Sequence, residues 1–267
     1  MSHSRLRPVL ARIDGLAWLA MALFMACLTL SGDYWMYLNP KFKPLTLAAA
    51  VVLAALAVWA LLRPVARPSV WRTLAYLALA AMVLVSEGGL QTLAGVPDTD
   101  PFAPAPTLPP AQKPAPVPPH MTLDGTDYIP INTVELSDIA AHKPEGVWTR
   151  PYVMRGFVKR DPALDAKGEF VLWRLAIWCC FADSTAVGFK VKLPPGNTLP
   201  PDKSWYMAYG RLAAMPADQR GAYAPSGMSF AAISPDALFL ADHIEPAAIT
   251  PEEVCLFEWR PAEPFNY

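Results

Sequence analysis

The sequence predicts two structural classes joined by a tether: an N-terminal α-helical region of three transmembrane helices, then a mainly-β C-terminal domain built as a small OB-like barrel. Three observations lead there. Apolar residues crowd the first third of the chain, ten of its thirty prolines fall within residues 97–119, and the remainder alternates with the period of β-strands between Pro, Gly and Asp turns. The averages agree with a partly membrane-embedded chain: of 267 residues, 54% are apolar and 17% charged, against about 45–50% and about 25% in an ordinary soluble domain.

The helices come first. Residues 16–30 are apolar apart from Thr29, and the stretch reaches 18 residues from Ile13, with Asp14 near its edge. Residues 45–62 supply 18 more, with Thr46 as the only polar side chain. Each approaches the roughly 20 residues that cross about 30 Å of hydrocarbon. A third, more polar stretch starts at Val70, contains Arg72 and Thr73, and runs through Ser86, Glu87, Gly88 and Gly89 to Ala94. The expected spans are therefore residues 13–31, 45–62 and 70–94. A cleaved signal peptide is the competing reading of the first, because Arg5, Arg7 and Arg12 precede it. A second span within fifteen residues argues against cleavage.

Loop charges orient the spans. The N-terminus carries Arg5, Arg7 and Arg12, and the second connection carries Arg63, Arg67 and Arg72. The first connection has only Lys41 and Lys43, and residues 86–112 have no Lys or Arg. Three spans put the N-terminus and the six arginines in the cytoplasm of a bacterial inner membrane, and everything after the third outside. Glu87 reads either as an intramembrane carboxylate marking a path or a partner contact, or as an interfacial residue beyond a helix ending at Val85.

Residues 97–120 are a Pro/Ala-rich linker. Prolines lack amide donors, so the tract takes up polyproline II, a semi-rigid spacer of up to roughly 70 Å at about 3.1 Å per residue.

Residues 121–267 make one domain. They hold 13 Lys/Arg and 18 Asp/Glu, net −5, whereas the first 120 residues are net +4. An acidic head excludes phosphate-backbone recognition, so no nucleic-acid partner is expected. Residues 128–132 read as a short strand, and Thr133 as the cap of a helix to Ala141 with Leu136, Ile139 and Ala140 on one side. Residues 147–159, 169–180, 186–193, 205–213 and 228–233 read as strands, and 236–244 as a further strand or a helix. About five strands and one helix suggest a small closed barrel of OB type, with a β-sandwich as the competitor. No phosphate loop, Ser-His-Asp arrangement or zinc-finger spacing is present.

One segment carries pointed chemistry, residues 170–183. Regular alternation puts Val171, Trp173, Leu175, Ile177 and Cys179 on one face, and Leu172, Arg174, Ala176, Trp178 and Cys180 on the other. Neighbouring thiols then point apart. They converge on one ion only where the strand ends or bulges at Trp178-Cys179, which the turn-like Ala182-Asp183-Ser184 permits. Cys179, Cys180 and the nearby carboxylate of Asp183 are the candidate metal ligands, for zinc or another soft ion. The competing readings are a small core residue for Cys179, a vicinal disulfide, or pairing of either thiol with Cys255. His142 and His243 are further possible ligands, and Cys27 reads as packing within the first span.

The chain resembles the YcgQ-like family of uncharacterised bacterial membrane proteins, regarded as subunits of a two-component permease. Gly32 followed by Tyr37-Leu38-Asn39-Pro40-Lys41 is similar to that family's segment after span one. Residues 146–158, ending Arg155-Gly156-Phe157-Val158, are similar to its Gly-Lys-X-Val-X-X-X-Gly-Phe-Val strand. Residues 170–183 followed by Gly188 are similar to its Phe-X-Leu-X-Arg-X-X-X-X-Cys-Cys-X-Ala-Asp-X-X-X-X-Gly signature, and residues 202–210 also fit. The resemblance implies three membrane helices, an OB-like module, a separate permease partner and a link to zinc or related metals. It puts more weight on Cys180 and Asp183 than on Cys179. The His-rich tract that some members carry after span two is absent from residues 63–72. The expectation is therefore a non-enzymatic, integral membrane subunit that contacts the lipid bilayer and a permease and captures or hands over an ion, with zinc as the candidate cofactor. A thiol–disulfide redox protein of the envelope and a structural assembly factor are the alternatives.

Overall fold

The computed structural model describes residues 3–63, 71, 74–76, 78, 118, 120–142, 146–223, 225, 231–248 and 251–267. The chain divides into two compact units, Met1–Asp100 and Pro101–Tyr267.

In the first unit, α1 (His3–Leu30) and α2 (Lys43–Leu62) are joined by two short 3-10 turns. Pro40 and Pro44 stand at helix starts, where a missing amide costs nothing. The two helices pack closely at Gly15, where a Cβ would lie 2.7 Å from Leu61 Cγ and 3.2 Å from the Ala57 carbonyl. Tyr34 and Thr46 share a hydroxyl hydrogen bond of 2.8 Å at the connecting turn. Outward, α2 presents Val51, Val52, Leu56, Val58, Trp59 and Leu62 to the surroundings. The segment Pro40–Leu62 is long and apolar enough to cross a membrane, with a mean hydropathy of 2.6, and the apolar run Gly15–Leu30 is shorter. Most of the third expected span, including Glu87, lies outside the described residues, as does nearly all of the linker. Within that stretch Tyr76 accepts a 3.1 Å hydrogen bond from the Trp18 indole.

The second unit is mainly β. Strands β1 (Met121–Leu123) and β2 (Thr126–Pro130) form a hairpin whose turn needs positive φ at Asp124 and Gly125. Then come α3 (Thr133–His142), β3 (Tyr152–Lys159), the short α4 (Pro162–Asp165), β4 (Glu169–Ala176), β5 (Thr185–Lys192), β6 (Trp205–Ala214), β7 (Ala231–Pro246) and β8 (Cys255–Leu256). Five strands close a barrel in the order β3-β4-β5-β7-β6, with β6 returning to β3. The β5–β7 ladder is parallel and the other four are antiparallel. This is the topology of an OB barrel, and the sandwich alternative is set aside. Closure leaves no free edge among the five strands.

Phe170, Leu172, Phe189, Val191, Leu212 and Phe239 fill the interior, joined by Leu136 and Ala140 from α3. The expected cap of that helix moves by one residue. Asn132, not Thr133, caps it: its Oδ1 accepts the N–H groups of Val134 and Glu135, both at 3.0 Å. Glu135 reaches back to the Asn132 N–H at 3.4 Å, completing a capping box.

Two strand expectations change at their ends. The strand expected from residue 147 begins at Tyr152, because Gly146 to Thr149 is a hydrogen-bonded turn. The pieces expected at 228–233 and 236–244 form, from Ala231 on, one strand, β7. Ser234-Pro235-Asp236, which reads as a turn, is an irregularity opposite Phe189 where the register jumps from Gly188↔Ile233 to Lys190↔Leu238.

Candidate metal centre

The strand expected over residues 169–180 ends at Ala176, and that end makes the site. The β4–β5 ladder runs from Glu169↔Lys192 to Ala176↔Thr185, and β5 has no earlier residue to offer. Beyond it Ile177 remains buried and donates to the Leu256 carbonyl at 2.9 Å. Trp178 and Cys179 form a bend, and Phe181–Asp183 a single 3-10 turn. Cys179 is exposed and Cys180 half-buried, which corrects the reading of Cys179 as a core residue on the apolar face. The strand stops three residues before it.

Asp183 organises the turn. Its Oδ1 accepts the Trp178 N–H at 3.1 Å and its Oδ2 accepts the Cys179 N–H at 2.8 Å. Folding the bend back on this carboxylate brings the thiols together, with Cys179 Sγ 3.6 Å from Cys180 Sγ. The two sulfurs and an Asp183 oxygen all lie within 4.8 Å of one another. Among the described residues this is the one group of three metal-ligating side chains so placed.

The electrostatics hold the Cys179 thiol protonated when no cation is present. The Cys179 thiol is pushed up to about 12, first by donating to Asp183 and then by its contact with Cys180. Asp183 is shifted down, because it accepts the Cys179 thiol and the backbone amides of the turn. A divalent ion reverses this balance, since thiolates are the ligating form.

Two sulfurs bonded at about 2.3 Å to one tetrahedral zinc stand about 3.8 Å apart. The 3.6 Å found here falls within a few tenths of an ångström of that spacing, and far from the roughly 2.05 Å of a disulfide. Cys179, Cys180 and Asp183 would thus supply three ligands on one side and leave the solvent side open.

The other candidates stay apart from this group. Cys255, on β8, is a buried free thiol pushed up to about 11 by burial. His142 lies on the exposed face of α3, its Nδ1 2.8 Å from the Asp138 carbonyl. His243 packs its ring against Tyr209, with centroids 5.9 Å apart. Cys27 is exposed on α1, not packed. The strand pattern did not point to the aromatic surroundings of the thiols: Trp178 is 58% and Phe181 47% exposed. Trp178 makes an edge contact with Trp259, with centroids 4.3 Å apart. Only the failure of alternation at Trp178 could have signalled it.

Residues 123–226 match the DUF1980 C-terminal domain. The matched span contains the whole Cys-Cys-Phe-Ala-Asp turn and four of the five barrel strands, and stops before β7. No curated protein matches the chain.

Proposed function

We propose that this chain is a non-enzymatic integral membrane subunit that works with a permease, and that its OB-like head captures and hands over a soft divalent cation, zinc being the best fit. The carrying observation is the convergence of Cys179 Sγ, Cys180 Sγ and the Asp183 carboxylate within 4.8 Å on an exposed turn. An open coordination side suits a site that must release its ion.

The membrane part of the reading draws on the apolar segment Pro40–Leu62, the apolar run Gly15–Leu30 and the outward-facing side chains of α2. Three spans, with residues 70–94 as the third, place the arginine-rich loops inside and the acidic head outside the bacterial inner membrane. The permease partner and the absence of a nucleic-acid role follow from the family resemblance and from the head's net charge of −5.

A redox role is the second reading, favoured by the thiol–thiol contact of 3.6 Å. The Cys179 thiol tells against it. Exchange chemistry uses thiols shifted down towards neutrality, and this one is shifted up to about 12. The readings separate by metal content. The purified, reduced full chain in detergent is expected to bind about one zinc per chain, with binding weakened at least about tenfold by Cys180→Ser and by Asp183→Ala. Failure of the wild type to bind added zinc rejects the metal role, and a reversible Cys179–Cys180 disulfide in that same sample moves the reading to redox chemistry.

A further inference from the structure

A second cluster, remote in chemistry from the thiols, lies where β3 and β4 part. Their ladder begins at Phe157↔Trp173, and beyond it β8 pairs with β4 at Leu175 and Ala176. Arg155 and Arg174 stand beside this opening. Arg174 is 2% exposed, and the Arg155 side chain 14%. Both guanidinium groups hold the same residue. Arg155 Nη1 lies 2.9 Å from Glu253 Oε1, and Arg174 Nη2 donates to the Glu253 carbonyl. Arg155 Nη2 donates to the main-chain oxygen of Tyr267 at 2.9 Å.

These bonds leave a surplus of donors. Arg155 Nε, Arg174 Nε and Nη1, Trp205 Nε1 and the Tyr267 hydroxyl are all buried without a hydrogen-bond partner. They are neighbours: the Arg174 guanidinium lies 5.7 Å from the Trp205 ring centre and the Arg155 guanidinium 4.7 Å from that of Tyr267. Four of the five atoms can only donate. Burial and the adjacent Arg155 both work against the charge on Arg174. Buried donors are normally satisfied, and charged ones most of all.

The acceptor count decides what satisfies them. One water accepts two hydrogen bonds, whereas a carboxylate offers about four acceptor sites and a planar match to guanidinium. We propose that Arg155, Arg174, Trp205 and Tyr267 form a buried binding site for a small oxyanion, a carboxylate or an inorganic phosphate or sulfate, at the parting of β3 and β4. The burial of Arg174 restricts the ligand to a few heavy atoms. The site uses neither thiol and is independent of the metal reading.

The full chain in detergent, in a buffer of bulky zwitterions, is titrated with sodium acetate, sulfate, phosphate and chloride at constant ionic strength. Heat of binding and thermal unfolding are followed. Saturable one-site binding of at least one oxyanion is expected, with chloride weaker, and the acetate and phosphate arms separate a carboxylate ligand from an inorganic one. Tyr267→Phe keeps the ring over Arg155 and removes one donor, and Trp205→Phe likewise removes one. Each should weaken binding about tenfold, and Arg174→Met should abolish it. Should Arg174→Met fail to fold, the two Phe variants decide, since each loses a donor and no charge. No saturable binding of any oxyanion, or equal binding by wild type and both Phe variants, overturns the proposal.

Discussion

The main-chain N–H of Cys179 donates to Asp183 Oδ2 at 2.8 Å, and this bond turns two neighbouring thiols towards one point. The same carboxylate accepts the Cys179 thiol, so it shapes the turn and suppresses the thiolate together. Asp183→Ala should let the Cys179 thiol fall from about 12 back towards its ordinary value of 9.0. Iodoacetamide should then label Cys179 at pH 8 at least about fivefold faster than in the wild type, the gain being limited by the lower nucleophilicity of a more acidic thiol. Mass-spectrometric rates at that residue check this, and an unchanged rate contradicts the Asp183 contact.

Zinc binding should depend steeply on pH. The Cys179 thiol keeps its proton up to about pH 12 in the absence of metal, so each thiol proton displaced by the ion adds about one decade of apparent affinity per pH unit. From pH 6 to pH 8 the affinity should rise at least about 100-fold, measured by competition with a chromophoric chelator. A flat profile over that window excludes thiolate ligation.

Glu135 governs a different pH dependence. It is 1% exposed and accepts the N–H of Arg260 at 2.6 Å and of Asn266 at 3.1 Å, joining the start of α3 to the C-terminal segment. Burial raises its pKa, and the three backbone hydrogen bonds only partly oppose this. A raised folded value means stabilisation fully present below the ordinary carboxylate range and lost as pH rises through the folded value. The stability of the wild type relative to Glu135→Gln should therefore be greatest in acid and decline with rising pH, as read from denaturant unfolding. Glu135→Ala strands the Arg260 and Asn266 amides and should cost about 2–4 kcal/mol at pH 7.

Gly188 and Gly210, like Gly156, let neighbouring barrel backbones approach closely. A Cβ on Gly188 would press on the Leu172 carbonyl and lie 2.8 Å from Trp173 Cβ, and one on Gly210 would press on the Leu240 carbonyl and lie 2.9 Å from Ala241 Cα. Gly188→Ala and Gly210→Ala should each destabilise the head by about 1–3 kcal/mol, whereas Gly196→Ala, where a Cβ meets nothing within 4 Å, should cost less despite its positive φ. Equal midpoints for all three contradict the close approaches.

The membrane reading predicts an external linker. In intact cells an impermeant maleimide should label Ala105→Cys, with a known external cysteine as positive control. Labelling only after permeabilisation would put the head inside and remove the third span.

The positions of β2 to β6, the helix at residue 133 and the barrel class were legible because local patterning carries them, whereas β1 and β8, of three and two residues, are too short to show a period. The parallel β5–β7 pairing was not legible, since it joins segments separated by all of β6. The end of β4 was hidden for a related reason. Apolar alternation continues through Ile177, but the ladder stops at Ala176 because its partner starts at Thr185, a constraint supplied by another strand. The candidate ligands were legible as residue types: Cys179, Cys180 and Asp183 are three side chains that converge. Their convergence depended on that strand end. Ser234-Pro235-Asp236 misled in the opposite direction, a turn-like triplet absorbed into the irregularity of β7.

Cobalt(II) titration of the reduced full chain is the most direct test of the metal centre, because thiolate ligation gives a near-ultraviolet sulfur-to-cobalt charge-transfer band that carboxylate or adventitious binding does not. The band should saturate at one equivalent, fall to about half its intensity in Cys180→Ser, and disappear on addition of zinc. No thiolate band in the wild type, or a band unchanged by Cys180→Ser, would contradict the assignment of Cys179, Cys180 and Asp183 as a metal site.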